Sequence, residues 1–303
     1  MTQGIVLMAM GNSIYGQMAF NLALSLKVNL RSSQRDYPIV LFHDESAVAT
    51  LSPSHYTVFD ATTILPSEYY IYDDQIQYFR AKSRIYDFTP FEKTLWLDVD
   101  AVINFGKGDD IRRMFHGVGD FCMMTYNLID CDTKRKLVDS SYQPLFWAPV
   151  NDKFVSDYGL HGARISQFNS SWIYFEKNDR IAEFFDVTKQ LWDGVKHVKT
   201  FRGDYPDEFF FDIASAKTGV HNTEIPFVPL YGDHEYRGSH NGNWIGDRAV
   251  LDNFTGIMMY GLDCPNHTQS LYNMQVEQYM QTNRMSRIRP FFHINKSKVG
   301  IRD

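Results

Sequence analysis

The first hundred residues constrain the fold most, because apolar runs there alternate with stretches of helical period. Gly4 to Met10 is a continuous apolar run, the pattern of a strand covered on both faces. Asn12 or Ser13 can cap the next segment, where Ile14, Met18, Leu22 and Leu26 recur at a four-residue step and predict a helix. Tyr37 to Asp44 reads as a second strand, His55 to Phe59 as a third and Thr94 to Val99 as a fourth; a helix is predicted from Asp73 or Asp74 through Ile76, Phe79 and Tyr86. This alternation implies right-handed βαβ units and an α/β fold of the Rossmann-like kind, a mainly parallel central sheet flanked by helices. Ligands of such sheets bind beyond the C-terminal ends of the strands.

After Val102 the pattern loosens. A strand is predicted at Phe121 to Tyr126, and Asn127 to Arg164 is polar and aromatic-rich without a clear period, the pattern of a functional loop or of a disordered segment. Beyond it come a strand at Ser171 to Phe175, an amphipathic helix from Asp179 to Trp192, a helix from about Pro206 to Lys217 and another near Leu271 to Asn283. No repeat, low-complexity tract or Pro/Ser linker interrupts the chain. We therefore expect one domain over 1–303, with a first half at 1–102 and a second at 103–303.

Composition removes several function classes. The net charge of −6 excludes a global cationic field of the kind that drives non-specific nucleic-acid binding. The 18 Tyr, 23 Phe and 5 Trp can line a cleft with rings that stack on bases or sugars. Cys122, Cys131 and Cys264 form no CxxC pair, and three thiols suit a reducing compartment. The opening residues lack a basic segment and their apolar run breaks at Gly11, so they read as a first strand; no membrane span is expected, and the location expected is cytoplasmic, the host cytoplasm if the chain is phage-encoded.

The chemistry centres on Thr94 to Ile103, where Asp98 and Asp100 interrupt a run that is otherwise apolar. A carboxylate in such surroundings shifts its pKa, pairs or binds a metal. No Lys or Arg lies among the immediate neighbours, so a cation is the economical partner, and oxygen ligands favour Mg²⁺ or Mn²⁺ over zinc. In a regular strand the two side chains would be roughly 6.5 Å apart, too far for a tight shared chelate. Either the chain turns just after Asp98, or one Asp binds the metal while the other works through water or a ribose hydroxyl.

Several pieces in order resemble the GT-A nucleotide-sugar glycosyltransferases, in particular family eight, the glycogenin and lipopolysaccharide-galactosyltransferase group. They are Ile5 to Met10 with Tyr15, Arg80-Ala-Lys82, Lys93 to Asp100, Phe168-Asn-Ser-Ser-Trp-Ile-Tyr-Phe175 and Pro206-Asp-Glu-Phe-Phe-Phe211. Ser171 stands where that family has Gly. The resemblance spans about residues 1 to 215 and implies a nucleotide-diphosphate sugar donor bound by Met8, Tyr15, Arg80, Lys82 and Asp98. It implies a metal held by Asp98, Asp100 and a late His, for which His293 in His293-Ile-Asn-Lys-Ser-Lys298 is the candidate, with Lys298 on the diphosphate. His240 and His267 compete for that ligand position. Asp207 or Glu208 would orient sugar hydroxyls and Asn169 would contact the sugar, although acidic residues opening a helix are also favoured by its dipole alone. Arg80 and Arg84 share a helix face by their spacing, with Lys82 on another. The family is retaining, and retention is implied here.

Two other readings use the same residues. Leu95 to Val102 also fits the haloacid-dehalogenase-type phosphatase pattern, but a strand-helix-strand unit precedes it and the later motifs are missing. A sugar-nucleotide-binding protein without turnover is the third reading. The Gly11 to Gly16 stretch is no P-loop, because Lys-Ser or Lys-Thr does not follow. The acceptor hydroxyl stays open among a saccharide, a protein and a hydroxylated base in modified DNA.

Overall fold

The computed structural model describes residues 2–30, 37–103, 108–117, 119–139, 149–194, 207–222, 230–231 and 257–259. The elements are β1 (Gln3–Ala9), α1 (Ser13–Leu30), β2 (Ile39–His43), α2 (Glu45–Val48), β3 (Ala61–Ile64), β4 (Ile71–Tyr72), β5 (Gln75–Ile76), α3 (Tyr78–Lys82), α4 (Ile85–Phe88), β6 (Lys93–Leu97), β7 (Ala101–Ile103), α5 (Gly108–Gly117), β8 (Phe121–Asp130), β9 (Lys136–Asp139), α6 (Asp152–Tyr158), β10 (Arg164–Glu176), α7 (Asp179–Gly194), α8 (Asp207–Thr218), β11 (Leu230–Tyr231) and β12 (Ile257–Met259). They belong to two interleaved units. An amino-terminal unit takes Thr2–Leu65, Leu95–Gly117 and Pro226–Asp303, and a central unit takes Pro66–Thr94 and Val118–Ile225. The expected division after residue 102 falls inside β7, which lies wholly in the amino-terminal unit.

In the amino-terminal unit β1, β2 and β3 pair in parallel, with Ile5 opposite Ile39 and Val40 opposite Ala61, and β6 lies on the other side of β1. Ile5, Val6 and Leu7 are fully buried, as a strand covered on both faces requires. The side chain of Asn12 accepts a hydrogen bond from the Ile14 amide at 3.0 Å, and the predicted stripe Ile14, Met18, Leu22 and Leu26 is buried along α1. Gly16 is required for packing: a Cβ there would lie 2.0 Å from the carbonyl oxygen of Ala47, so α2 approaches α1 only because the side chain is absent. The third strand is displaced from its expected place. His55–Val58 is a 3₁₀ turn, in which the Ser52 amide donates to His55 Nδ1 at 2.9 Å, and the strand follows at Ala61–Ile64. All four β3 residues are exposed, so no buried face marked it in the sequence.

In the central unit β10, β8 and β9 pair antiparallel. The helix expected from Asp73 begins later, at Tyr78. Asp73 and Asp74 have φ of 52° and 58° and form the two-residue turn between β4 and β5, the left-handed conformation such hairpins demand. The segment expected to be irregular holds structure as well. β8 continues to Asp130, and α6 is capped by Asn151, which accepts from the Phe154 amide at 2.9 Å, and closed by left-handed Gly159. Ile129, Phe154, Val155, Ile165, Trp192, Phe209, Phe210 and Ile213 pack into one core cluster. Each large apolar side chain buried this way contributes about 1.5–3 kcal/mol. Cys122 and Cys131 are buried thiols, and burial pushes the Cys122 thiol up to about 12, so it stays protonated. No described helix is long and apolar enough to cross a membrane.

Candidate functional site

The sequence-predicted residues fall into two sets, one in each unit. In the amino-terminal unit β6 ends at Leu97 and the chain turns over Asp98 to Asp100, closed by the Ala101 amide donating to the Asp98 carbonyl at 3.1 Å. The chain thus turns just after Asp98, as one of the two arrangements left open by the sequence requires. Leu95, Trp96, Leu97 and Val99 are buried, whereas Asp98 and Asp100 keep part of their surface exposed. The indole Nε1 of Trp96 donates to Asp98 Oδ1 at 3.1 Å. Trp96 was not singled out beforehand, because a Trp in an apolar run reads as core. Met8 on β1 and Tyr15 on α1 are partly buried in the same unit. At the ends of β1 and β2, Asp44 accepts from the Gly11 amide at 2.7 Å and caps α2 through the Ala47 amide at 2.8 Å.

Two partly exposed, oxygen-only carboxylates on a tight turn suit a hard divalent ion and can supply two of its ligands. Among the described residues no group of three or more His, Cys, Asp or Glu is arranged to hold a metal. His293, Lys298, His240 and His267 lie outside the described residues.

In the central unit Lys82, Ser170, Asp207 and Glu208 meet. The Lys82 ammonium lies 3.1 Å from Asp207 Oδ2 and donates to Ser170 Oγ at 3.0 Å and to the Ser170 carbonyl at 3.3 Å. Ser170 Oγ in turn donates to Glu208 Oε1 at 3.0 Å. Lys82 and Asp207 are 4% and 3% exposed, so their pairing offsets a large desolvation cost. Apart from that ammonium, Asp207 Oδ2 has no aligned hydrogen-bond donor among the described residues. One lysine thus faces two adjacent acids. Glu208 keeps some residue surface, but its carboxyl is withdrawn from water, and this burial, with the Asp207 charge beside it and against the pull of Lys82, pushes its pKa up to about 8.

Asn169, next to Ser170, donates from Nδ2 to the Tyr126 hydroxyl at 3.3 Å, and its Oδ1 accepts from the Ser171 amide at 3.0 Å. Arg80 and Arg84 turn away from Lys82, as their spacing predicted, and both converge on Asp193 of α7. Arg80 Nε lies 3.1 Å and Arg84 Nη2 2.7 Å from its carboxylate. Arg80 also donates to the carbonyls of Glu68 and Ile71, and its guanidinium stacks over the Tyr72 ring at 5.2 Å.

No family model and no curated protein sequence matches the chain. Among solved structures, the chain is similar to the galactosyltransferase LgtC in complex with donor and acceptor sugar analogs, at 11% identity over 92% of this chain and 96% of that one, with a TM-score of 0.49. It is likewise similar to apo mouse xyloside xylosyltransferase 1, at 11% identity over 88% and 99% of the two chains with a TM-score of 0.49. A third is core-mannan synthase A of Aspergillus fumigatus in its Mn/GDP form, at 10% identity over 70% and 69% with a TM-score of 0.41.

Proposed function

We propose that the chain is a GT-A-type glycosyltransferase that moves a sugar from a nucleotide-diphosphate donor to a hydroxyl acceptor, with Mn²⁺ or Mg²⁺ and with retention. The observation that carries this reading is the acidic turn at Asp98 and Asp100, partly open to solvent at the end of a buried strand and steadied by Trp96. Partly exposed carboxylates at the end of a buried strand can be reached by a hydrated divalent cation, whose ligands of choice are oxygens. Asp98 and Asp100 would hold the ion, with His293 as the further ligand. Bound there, a divalent ion supplies neutralisation of the charge that develops on a departing diphosphate.

The chain's own residues do the rest. Asp207, whose Oδ2 pairs with the Lys82 ammonium at 3.1 Å, would orient a sugar hydroxyl. Lys82 pairs with Asp207, and Glu208 below pH 8 is a neutral acid that can donate to a sugar or phosphate oxygen. Asn169 offers its amide beside them. Met8, Tyr15 and Lys298 would contact the donor; Arg80 would act mainly by holding the β4–β5 hairpin through Asp193 and two backbone carbonyls. The acceptor class is a saccharide, a protein or a hydroxylated DNA base.

The test is release of UDP or GDP from a panel of nucleotide sugars with Mn²⁺, compared with the same panel in EDTA. Metal-dependent release supports the reading. Hydrolysis of a phosphomonoester without nucleotide release would point to the phosphatase, and binding without release to a non-catalytic protein.

A further inference from the structure

α8 is joined to β10 by a regular polar seam. The Ser166 amide donates to Ser215 Oγ at 3.0 Å and the Phe168 amide to Asp212 Oδ1 at 2.8 Å. The Ser170 amide reaches Glu208 Oε1 at 3.5 Å. Alternate residues of a strand point their amides to one side, and residues spaced by four and three along a helix share a face. α8 therefore presents side-chain acceptors where a neighbouring strand would present carbonyls.

The seam lies where β10 leaves its ladder with β8. Asn169 is opposite Met124 and Ile173 opposite Met123, so Ser170, Ser171 and Trp172 bulge out of register. That bulge carries Ser170 to Lys82 and Glu208. Asp212 is fully buried and bonds the last amide before Asn169. It sits five positions beyond Asp207 on the same helix, so one side chain links the strand that carries Asn169 and Ser170 to the helix that carries Asp207 and Glu208.

We propose that Asp212 is a positioning residue: by accepting the Phe168 amide it sets the β10 bulge against the N-terminal turn of α8 and so fixes Asn169 and Ser170 relative to Asp207 and Glu208. The inference rests on the transferase reading for its effect on turnover, but not for its effect on the bulge. In the full chain, Asp212→Leu removes the acceptor, Asp212→Asn keeps one carbonyl oxygen in place, and Ser215→Ala loosens the same seam at Ser166. Amide hydrogen exchange is followed at Ser166, Phe168 and Ser170, and nucleotide release is measured with Mn²⁺ and the nucleotide-sugar panel. Asp212→Leu is expected to speed exchange at Phe168 and Ser170 and to lower kcat by about 10²-fold, the scale of an ångström misplacement, with KM for the donor changed less. Asp212→Asn is expected to restore kcat to within a few-fold, and Ser215→Ala to speed exchange at Ser166 alone.

Unchanged exchange at Ser170 in Asp212→Leu overturns the proposal, and so does wild-type kcat despite faster exchange. If Asp212→Leu does not fold, Asp212→Asn decides: slow exchange with near-native kcat supports positioning, and a hundredfold loss overturns it. If the wild-type chain releases no nucleotide from any donor, the transferase reading fails, while exchange at Ser170 still decides whether Asp212 holds the bulge.

Discussion

Asp98 with Asp100 and Asp207 with Glu208 are both pairs of acids set among apolar neighbours, and the molecule treats them in opposite ways. The first pair sits on a turn with part of its surface open, and an indole bond steadies Asp98. The second is enclosed, with one carboxylate paired to a buried lysine and the other carboxyl raised towards neutrality. Acids meant to take a cation from solution must stay reachable. Acids meant to act without one can be buried, provided the fold supplies a counter-charge or leaves a proton in place.

Breaking the buried pair should have the largest effect. Lys82→Met leaves Asp207 uncompensated, and denaturant unfolding is expected to show a loss of about 3–5 kcal/mol, much of it recovered in the Lys82→Met, Asp207→Leu double variant. Next comes the open pair, for which the contrast predicts a functional loss without a structural one. Asp100→Ala is expected to lower metal-dependent nucleotide release by about 10³-fold and to leave the melting temperature near that of the wild type. Full activity in that variant would remove the metal assignment.

A third prediction tests the buried pair by pH. A carboxyl with a pKa of about 8 in the fold and 4.5 when unfolded binds more protons folded than unfolded between those values. Stability from this group is therefore greatest below pH 4.5 and declines as pH rises through 8. Glu208→Gln cannot ionise, so its melting temperature should gain on the wild type from pH 5 to about pH 8 and level off above it. The smallest effect is expected at Trp96→Phe, which removes one hydrogen bond of ~1 kcal/mol from Asp98 and should weaken Mn²⁺ binding by calorimetry several-fold.

Local pattern carried the parts of the fold that depend on a buried face. Gly4 to Met10 and the stripe from Ile14 to Leu26 were legible because burial selects residue type at a fixed period. β3 was misplaced because all its residues are exposed, and the hairpin at Asp73 and Asp74 because two acids serve equally as a helix start and as a left-handed turn. At the site, the opposite facing of Lys82 and the Arg80, Arg84 pair followed from spacing alone. Asp193, Ser170, Trp96 and Asp212 did not, since each acts through a partner: Asp193 lies more than a hundred residues from both arginines and Ser170 lies 88 from Lys82.

The sequence by itself determined the α/β alternation, the interruption of an apolar strand by two acids and the residue types available for anion and cation chemistry. Which lysine meets which acid, which carboxyl keeps its proton and where β10 bulges were decided by tertiary structure. Charge compensation and desolvation depend on distances across the fold, whereas periodicity depends only on neighbours along the chain.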